Sequence, residues 1–338
     1  MSNLYNLVAS PEIDYNEPIN NRAKLDTGTN CNYSCGFCYY LGDLDKVTSF
    51  ETIKERIDYL IECQIKEVDL SGGESSIHQD WFKILDYCTA NNLYISTLSN
   101  GSKFKDIDFL EKSKECGLRE ILFSLHGYNE ESHNKLVNHP KGFQHIIEAI
   151  KNANKLDIKV RINCTVTHLN YKHLIEFAEL IKQFNIFEVN FLTLNYWNNA
   201  NGIQTINYSE ITPYIHKAID FLNDFCLINV RYTPYCFMFG YEKYVCNTYQ
   251  HIYDIYDWNI AVYDEKIKSK YYIINKYKAL FDAAKQNRIH TYYKKPECFN
   301  CKHFKICDGI EKQLDIELYP EHGEKITNVN FYRKHFYK

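Results

Sequence analysis

The sequence predicts an α/β fold: a partial (β/α)6 TIM-like barrel over residues 1–226, followed by a smaller cysteine-rich domain over residues 227–338. Three observations predict it. Strand-like and helix-like segments alternate six times within the first 200 residues. Several of the strand-like segments are rich in Val, Ile, Leu and Phe on both faces, as parallel strands covered by helices must be. The 13 cysteines gather mainly in two groups, one early and one late, and a chain of 338 residues suits about two domains.

The first strand is expected over Lys24–Thr29 and is followed by a 3.6-period segment, Phe50–Cys63. Glu67–Leu70 and helix Asp80–Ala90 come next, then strands Tyr94–Leu98 and Glu120–Leu125 and helix Gly142–Leu156. Strand Lys159–Val166 with helix Tyr171–Phe184, and strand Glu188–Leu194 with helix Ile211–Phe225, complete six units. Repeated strand-then-helix order implies parallel strands joined by right-handed crossovers. Six units fall short of the eight in a closed barrel, hence a partial one, with its active site expected at the C-terminal strand ends. Past residue 226 the rhythm breaks: a short strand, Ile228–Tyr232, precedes Pro234 and Cys236. A Tyr-rich segment, Gly240–Trp258, has the aromatic spacing of an amphipathic helix. Residues 266–295 then carry nine Lys or Arg against the single acid Asp282, interleaved with tyrosines.

Composition excludes several classes. With 45% hydrophobic and 24% charged residues the chain is neither disordered nor collagen-like. A net charge of −4 gives no bulk electrostatic footprint for nucleic acid, so a nucleic-acid partner is not expected. No apolar run is long enough to span a membrane. The N-terminal segment lacks the basic start and apolar stretch of a signal peptide, so a cytoplasmic location is expected. An odd number of cysteines in a reducing compartment argues for metal or redox chemistry over a disulfide framework. Isolated Cys63, Cys88, Cys116, Cys164 and Cys226 read as small core residues.

Cys31, Cys35 and Cys38 form CxxxCxxC directly after the first strand. Three thiolates from one loop can hold three irons of a [4Fe–4S] cube, leaving one iron open to a ligand from outside the protein. A zinc site or three buried core thiols are the alternatives. Zinc prefers paired CxxC and a fourth ligand, and core thiols would not bunch in a glycine-containing loop.

In this position the motif resembles that of the radical S-adenosylmethionine (SAM) superfamily, over roughly residues 22–200. Phe37 fills the aromatic position before the third cysteine, and Ser71-Gly72-Gly73-Glu74 looks like the family's GGE motif after the second strand. Asn100 in SNG, Ser124 in FSLHG and Arg161 in VRINCTV stand where relatives place polar strand-end groups. The resemblance implies that Phe37, Ser71, Gly72, Gly73, Glu74, Asn100, Ser124 and Arg161 bind SAM, with Phe37 on the adenine and Arg161 on the carboxylate. His126 replaces the acidic residue common in relatives and could touch substrate. The implied activity is reductive cleavage of SAM to a 5′-deoxyadenosyl radical that abstracts a hydrogen atom from substrate.

The second group is Cys298, Cys301 and Cys307, a CxxC followed by a third cysteine, with Cys236 or Cys246 as fourth ligand. Cys236 is preferred because it leaves a strand after Pro234, where loops build sites. The run resembles the auxiliary-cluster domains termed SPASM and twitch. SPASM expects a further cysteine where Glu311 stands, and no cysteine follows Cys307, so the resemblance implies one auxiliary [4Fe–4S] cluster, with a structural zinc as the rival. The expected substrate is a small metabolite (amino acid, sugar or nucleotide) or a peptide, with an electron donor such as flavodoxin or ferredoxin. Only some thirty residues precede Cys31, which leaves no room there for a separate leader-binding domain and favours the metabolite slightly. A non-catalytic iron–sulfur or zinc protein is the reading from another class.

Overall fold

The computed structural model describes residues 20–194, 207–256, 260–262, 292–312 and 314–334. Eight strands form one sheet: β1 (Arg22–Asp26), β2 (Glu67–Ser71), β3 (Tyr94–Ser99), β4 (Leu118–Ser124), β5 (Lys159–Val166), β6 (Glu188–Thr193), β7 (Leu227–Arg231) and β8 (Ile260–Val262). Their order is β7-β6-β5-β4-β3-β2-β1-β8, and every neighbouring pair is parallel. The helices between them are α1 (Phe50–Glu62), α2 (Trp81–Ala90), α3 (Ile107–Glu115), α4 (Glu130–Val137), α5 (Gly142–Lys155), α6 (Leu174–Ile181) and α7 (Tyr208–Leu222). This is the curled α/β half-barrel that the alternation predicts.

Helix starts and packing follow local rules. Ser49 accepts from Thr52 N–H to cap α1, Asp106 caps α3, and Asn129 with Ser132 forms a capping box on α4. Helix α5 buries Ile146, Ala149, Ile150 and Ala153, one stripe at helical spacing, against the sheet. Each large apolar side chain buried this way contributes about 1.5–3 kcal/mol.

Several expectations need correction. The sheet gains β7 and β8 beyond the six strands, so the boundary at 226/227 falls just before a strand that pairs with β6. Helices α3 and α4 were not anticipated. Gly240–Trp258 is no helix where it is described: it makes short 3-10 turns at Glu242–Tyr244 and Gln250–Tyr253. Its aromatic rows serve packing, with Tyr244, Tyr249 and Tyr253 in the core. Of Tyr171–Phe184 only Leu174–Ile181 is α-helical, after a 3-10 turn. Residues 266–291 of the basic, Tyr-rich stretch lie outside the described residues; beyond them β9 (Tyr292–Tyr293) pairs antiparallel with β10 (Ile310–Glu311). Among the described residues no helix is long and apolar enough to cross a membrane.

The N-terminal end of the barrel interior is filled by charge. Arg22 reaches Glu67 (2.7 Å), Glu120 (2.7 Å) and Asp69 (3.3 Å), while Arg161 bonds Glu120 (3.0 Å) and Glu188 (2.8 Å). Burial pushes the Glu120 carboxyl up, but Arg22 and Arg161 outweigh it and hold it at about 2. The other end, where the strands finish, is where the loops converge.

Candidate metal and cofactor site at the strand ends

Cys31, Cys35 and Cys38 lie on the loop leaving β1. The loop is pinned to the helix layer: Gly36 N–H donates to Leu136 O (3.1 Å), Asn138 Nδ2 to Ser34 Oγ (2.8 Å), and Tyr33 Oη lies 2.7 Å from His145 Nδ1. The three sulfurs are close enough to act on one another electrostatically. Burial raises all three thiols, and neighbouring sulfurs add to the rise for Cys31, which reaches about 11, and for Cys35. Tyr33 N–H points at Cys31 Sγ (3.5 Å), and so does Asn100 Nδ2 (3.8 Å). Buried thiols that repel one another when ionised, with donors already on a sulfur, fit a cationic iron–sulfur cluster.

The Ser71–Glu74 turn follows β2 and is laid against this loop backbone to backbone. Gly73 N–H donates to Gly28 O (2.9 Å) and Glu74 N–H to Asn30 O (2.8 Å). A Cβ at Gly72, where φ is +121°, would sit 2.0 Å from Gly28 O, and one at Gly73 2.1 Å from Asn30 O. The glycine pair is therefore required for loop-to-loop approach, a reason that the sequence reading, which assigned it to ligand approach, did not include. Ser71 takes Thr27 N–H on its carbonyl (2.8 Å).

The Glu74 carboxylate accepts from Ser76 Oγ (2.5 Å), Ser99 Oγ (2.9 Å) and Asn100 N–H (2.7 Å), and burial pushes its pKa up. Its side chain is thus spent on tying the β2 turn to the β3 turn, which corrects its expected place among ligand-binding side chains. Ser124 ends β4, half-buried. Phe37 meets the His126 ring edge-on, centroids 4.7 Å apart, and His126 Nδ1 accepts from Thr165 N–H on β5 (3.1 Å). Loops after β1, β2, β3 and β4 and the end of β5 are thereby linked in one constellation.

Arg161 departs from its expected role. It is fully buried at the third position of β5, its guanidinium held by Glu120 and Glu188 near the N-terminal end of the barrel. Its job is to neutralise those carboxylates. The sequence reading also missed Lys24 and Asp26, both buried, which meet the aromatic pair after Cys38: Lys24 Nζ to Tyr39 Oη at 2.7 Å and Tyr40 Oη to Asp26 at 2.5 Å. Two charges inside the otherwise buried strand RAKLD were the available signal.

The second cysteine group assembles as expected. Cys236 lies in the turn after β7 and interacts electrostatically with Cys298, Cys301 and Cys307. Burial, then the neighbouring sulfurs, raise the Cys236 and Cys301 thiols and take Cys298 up to about 12. Backbone N–H groups meet every sulfur: Tyr319 for Cys236, Lys295 for Cys298, His303 and Glu321 for Cys301, and Gly309 for Cys307 (3.3 Å). That pattern suits thiolates in an iron–sulfur site. Cys246 is elsewhere engaged, buried with its Sγ 3.6 Å from Asp254 Oδ2. Among the described residues the metal-ligating side chains whose donor atoms lie mutually within 4.8 Å are Glu242, His303 and Glu321. No three of the cysteine sulfurs close to that distance, whereas thiolates about 2.3 Å from one zinc would stand roughly 3.8 Å apart.

A parallel half-barrel with a thiolate triplet on its first loop, and a second thiolate group beyond the barrel, defines an α/β protein built around metal at its strand ends. Residues 25–181 match the sequence profile of the Radical SAM superfamily, and the chain belongs to that superfamily. The GTP 3′,8-cyclase of Aquifex aeolicus (strain VF5) is 25% identical over 202 residues, 56% of this chain and 62% of its own length. The mycofactocin maturase MftC of Mycolicibacterium smegmatis is 27% identical over 157 residues, 46% of this chain and 40% of its own. The chain thus spans between two-fifths and three-fifths of the length of these curated relatives. A solved structure of anSMEcpe with bound AdoMet and Cp18Cys peptide covers 88% of this chain and 92% of its own at a TM-score of 0.57 and 17% identity. Streptococcus suis SuiB covers 63% of this chain and 49% of its own at 0.53 and 16%. These two likenesses show the fold.

Proposed function

We propose that the protein is a radical SAM enzyme acting on a small metabolite (an amino acid, sugar or nucleotide) or a peptide, with one auxiliary [4Fe–4S] cluster in its C-terminal region. The observation that carries this is the constellation itself: Cys31, Cys35 and Cys38 joined through Asn100 and Glu74 to the glycine turn, with Phe37 and His126 beside them. When bound, the cluster and SAM supply a 5′-deoxyadenosyl radical by one-electron reductive cleavage. This chain's part is to hold three irons through the three thiolates, to fix the loop by the Gly73 and Glu74 backbone bonds, and to present Phe37, Asn100 and Ser124 at the same opening. The backbone at Ser71, Gly72 and Gly73 is the surface offered to the SAM methionine. Cys236, Cys298, Cys301 and Cys307 are the proposed auxiliary ligands, with zinc as the alternative occupant. The cysteine-rich unit is proposed to begin after β7.

Thirteen free thiols suit a reducing cytoplasm, and a flavodoxin or ferredoxin is the proposed electron donor. GTP cyclases and a peptide maturase among the relatives support both substrate classes. Anaerobic reconstitution followed by iron, sulfide and zinc analysis tests the cofactor content, with about eight irons expected for two [4Fe–4S] clusters. Incubation with dithionite and SAM, with candidate nucleotides or peptides, tests the activity; 5′-deoxyadenosine above the uncoupled background identifies the class, and none under any condition overturns the reading.

A further inference from the structure

The Tyr235 hydroxyl stands out among the buried polar atoms that the proposed chemistry does not use. Tyr235 precedes Cys236, is 1% exposed, and its hydroxyl has no hydrogen-bond partner. Of the ionisable groups around it, the Cys307 sulfur acts on it most strongly. Its ring stacks on that of His303, centroids 4.8 Å apart and 14° from parallel. His303 Nδ1 lies 4.0 Å from Cys301 Sγ, and its Nε2 lies 2.7 Å from Tyr332 Oη. A metal-bound thiolate has no proton to give, so the hydrogen between His303 and Cys301 must sit on Nδ1, and the Tyr332 hydroxyl then donates to Nε2. Two stacked rings from distant segments thus bring one polar hydrogen each to two different sulfurs of the same group.

We propose that Tyr235 and His303 are positioning residues that donate hydrogen bonds to the sulfurs of the C-terminal iron–sulfur site and raise its reduction potential. The inference rests on the reading of Cys236, Cys298, Cys301 and Cys307 as cluster ligands. A reduced cluster carries one more negative charge, spread over its sulfurs, so donors aimed at those sulfurs favour the reduced form. The orphan hydroxyl of Tyr235 has a reason to be buried only when an acceptor is beside it.

The test uses full-length protein with Cys31→Ala, Cys35→Ala and Cys38→Ala, reconstituted anaerobically so that only the C-terminal site takes up iron. Midpoint potentials are read by redox titration followed by electron paramagnetic resonance. Adding Tyr235→Phe or His303→Phe is expected to lower the one-electron reduction constant about tenfold each, a fall of about 59 mV. His303→Asn, whose amide can replace the Nδ1 donor, is expected to stay near the parent value. Tyr235→Phe removes a hydroxyl without a partner, so the metal-free variant should melt no lower than its parent, which separates tuning from damage. Unchanged potentials with the cluster intact overturn the assignment of the donors. A parent that takes up zinc and no iron overturns the cluster reading itself, and the assignment falls with it.

Discussion

The two cysteine groups are built in opposite ways. The first draws three thiols from eight consecutive residues and is shaped by its neighbours: the glycine turn after β2, Asn100 after β3 and the helix layer under Tyr33. The second draws one thiol from the exit of β7 and three from a segment about sixty residues later, and its sulfurs receive main-chain N–H groups from four or more places in the fold. The first is a short loop held from outside, with three thiols and room for a further ligand. The second offers four thiols and is closed by the chain around it. The contrast assigns reactivity to one and electronic or structural service to the other.

The contrast can be broken most severely at the first group. Replacing Cys31, Cys35 and Cys38 by Ala is expected to abolish 5′-deoxyadenosine formation while about four of eight irons remain, checked by product chromatography and iron analysis. Loss of all iron would mean that the second group does not stand alone. At the barrel floor, Glu120→Gln should cost about 3–5 kcal/mol, because Arg22 and Arg161 lose a buried carboxylate; chemical denaturation reads it. The same group sets a pH window. Its folded pKa lies near 2 against an ordinary 4.5, so its stabilisation is present above the ordinary value and fades as pH falls towards 2. Acid unfolding between those values should be visibly shallower in the variant.

Gly72→Ala sharpens the comparison at intermediate size. Its positive φ alone costs about 1–3 kcal/mol, and the 2.0 Å approach to Gly28 O forces the β2 turn away from the β1 loop. SAM cleavage should fall with little change in auxiliary iron. The mildest comparison is Cys236→Ala against Cys246→Ala: the first should lose the auxiliary iron, and the second should keep it with a slightly lower melting temperature, since Cys246 is buried against Asp254.

Much of the barrel was legible because each strand is a short, apolar run and each helix repeats its buried stripe. Strand β5 has the predicted bounds, and the other five predicted strands of the barrel differ by at most two residues at an end. Helices α3 and α4 were harder: α3 buries only Leu110 and Ser113, and α4 puts His133 where an apolar residue was sought. The cysteine triplet was legible from spacing, since its ligands share one loop. The choice of Cys236 over Cys246 turned on the exit of β7, and the fold brings it together with three thiols that spacing alone could not place. Arg161 and Glu74 were misread for one reason. A charged residue in a strand or at its end announces that it has a partner, but whether that partner is a ligand or another buried side chain is decided only by register across the sheet.

The salt-bridged layer of Arg22, Glu67, Asp69, Glu120, Arg161 and Glu188 has a further consequence. It makes the barrel a vessel with one door. A molecule descending from the strand ends meets a floor of mutually committed charges, and going deeper would strand ions in a medium that cannot solvate them. Whatever enters must leave by the same opening, so the first ligand in can be trapped behind the second, and the order of arrival and departure becomes a property of the fold.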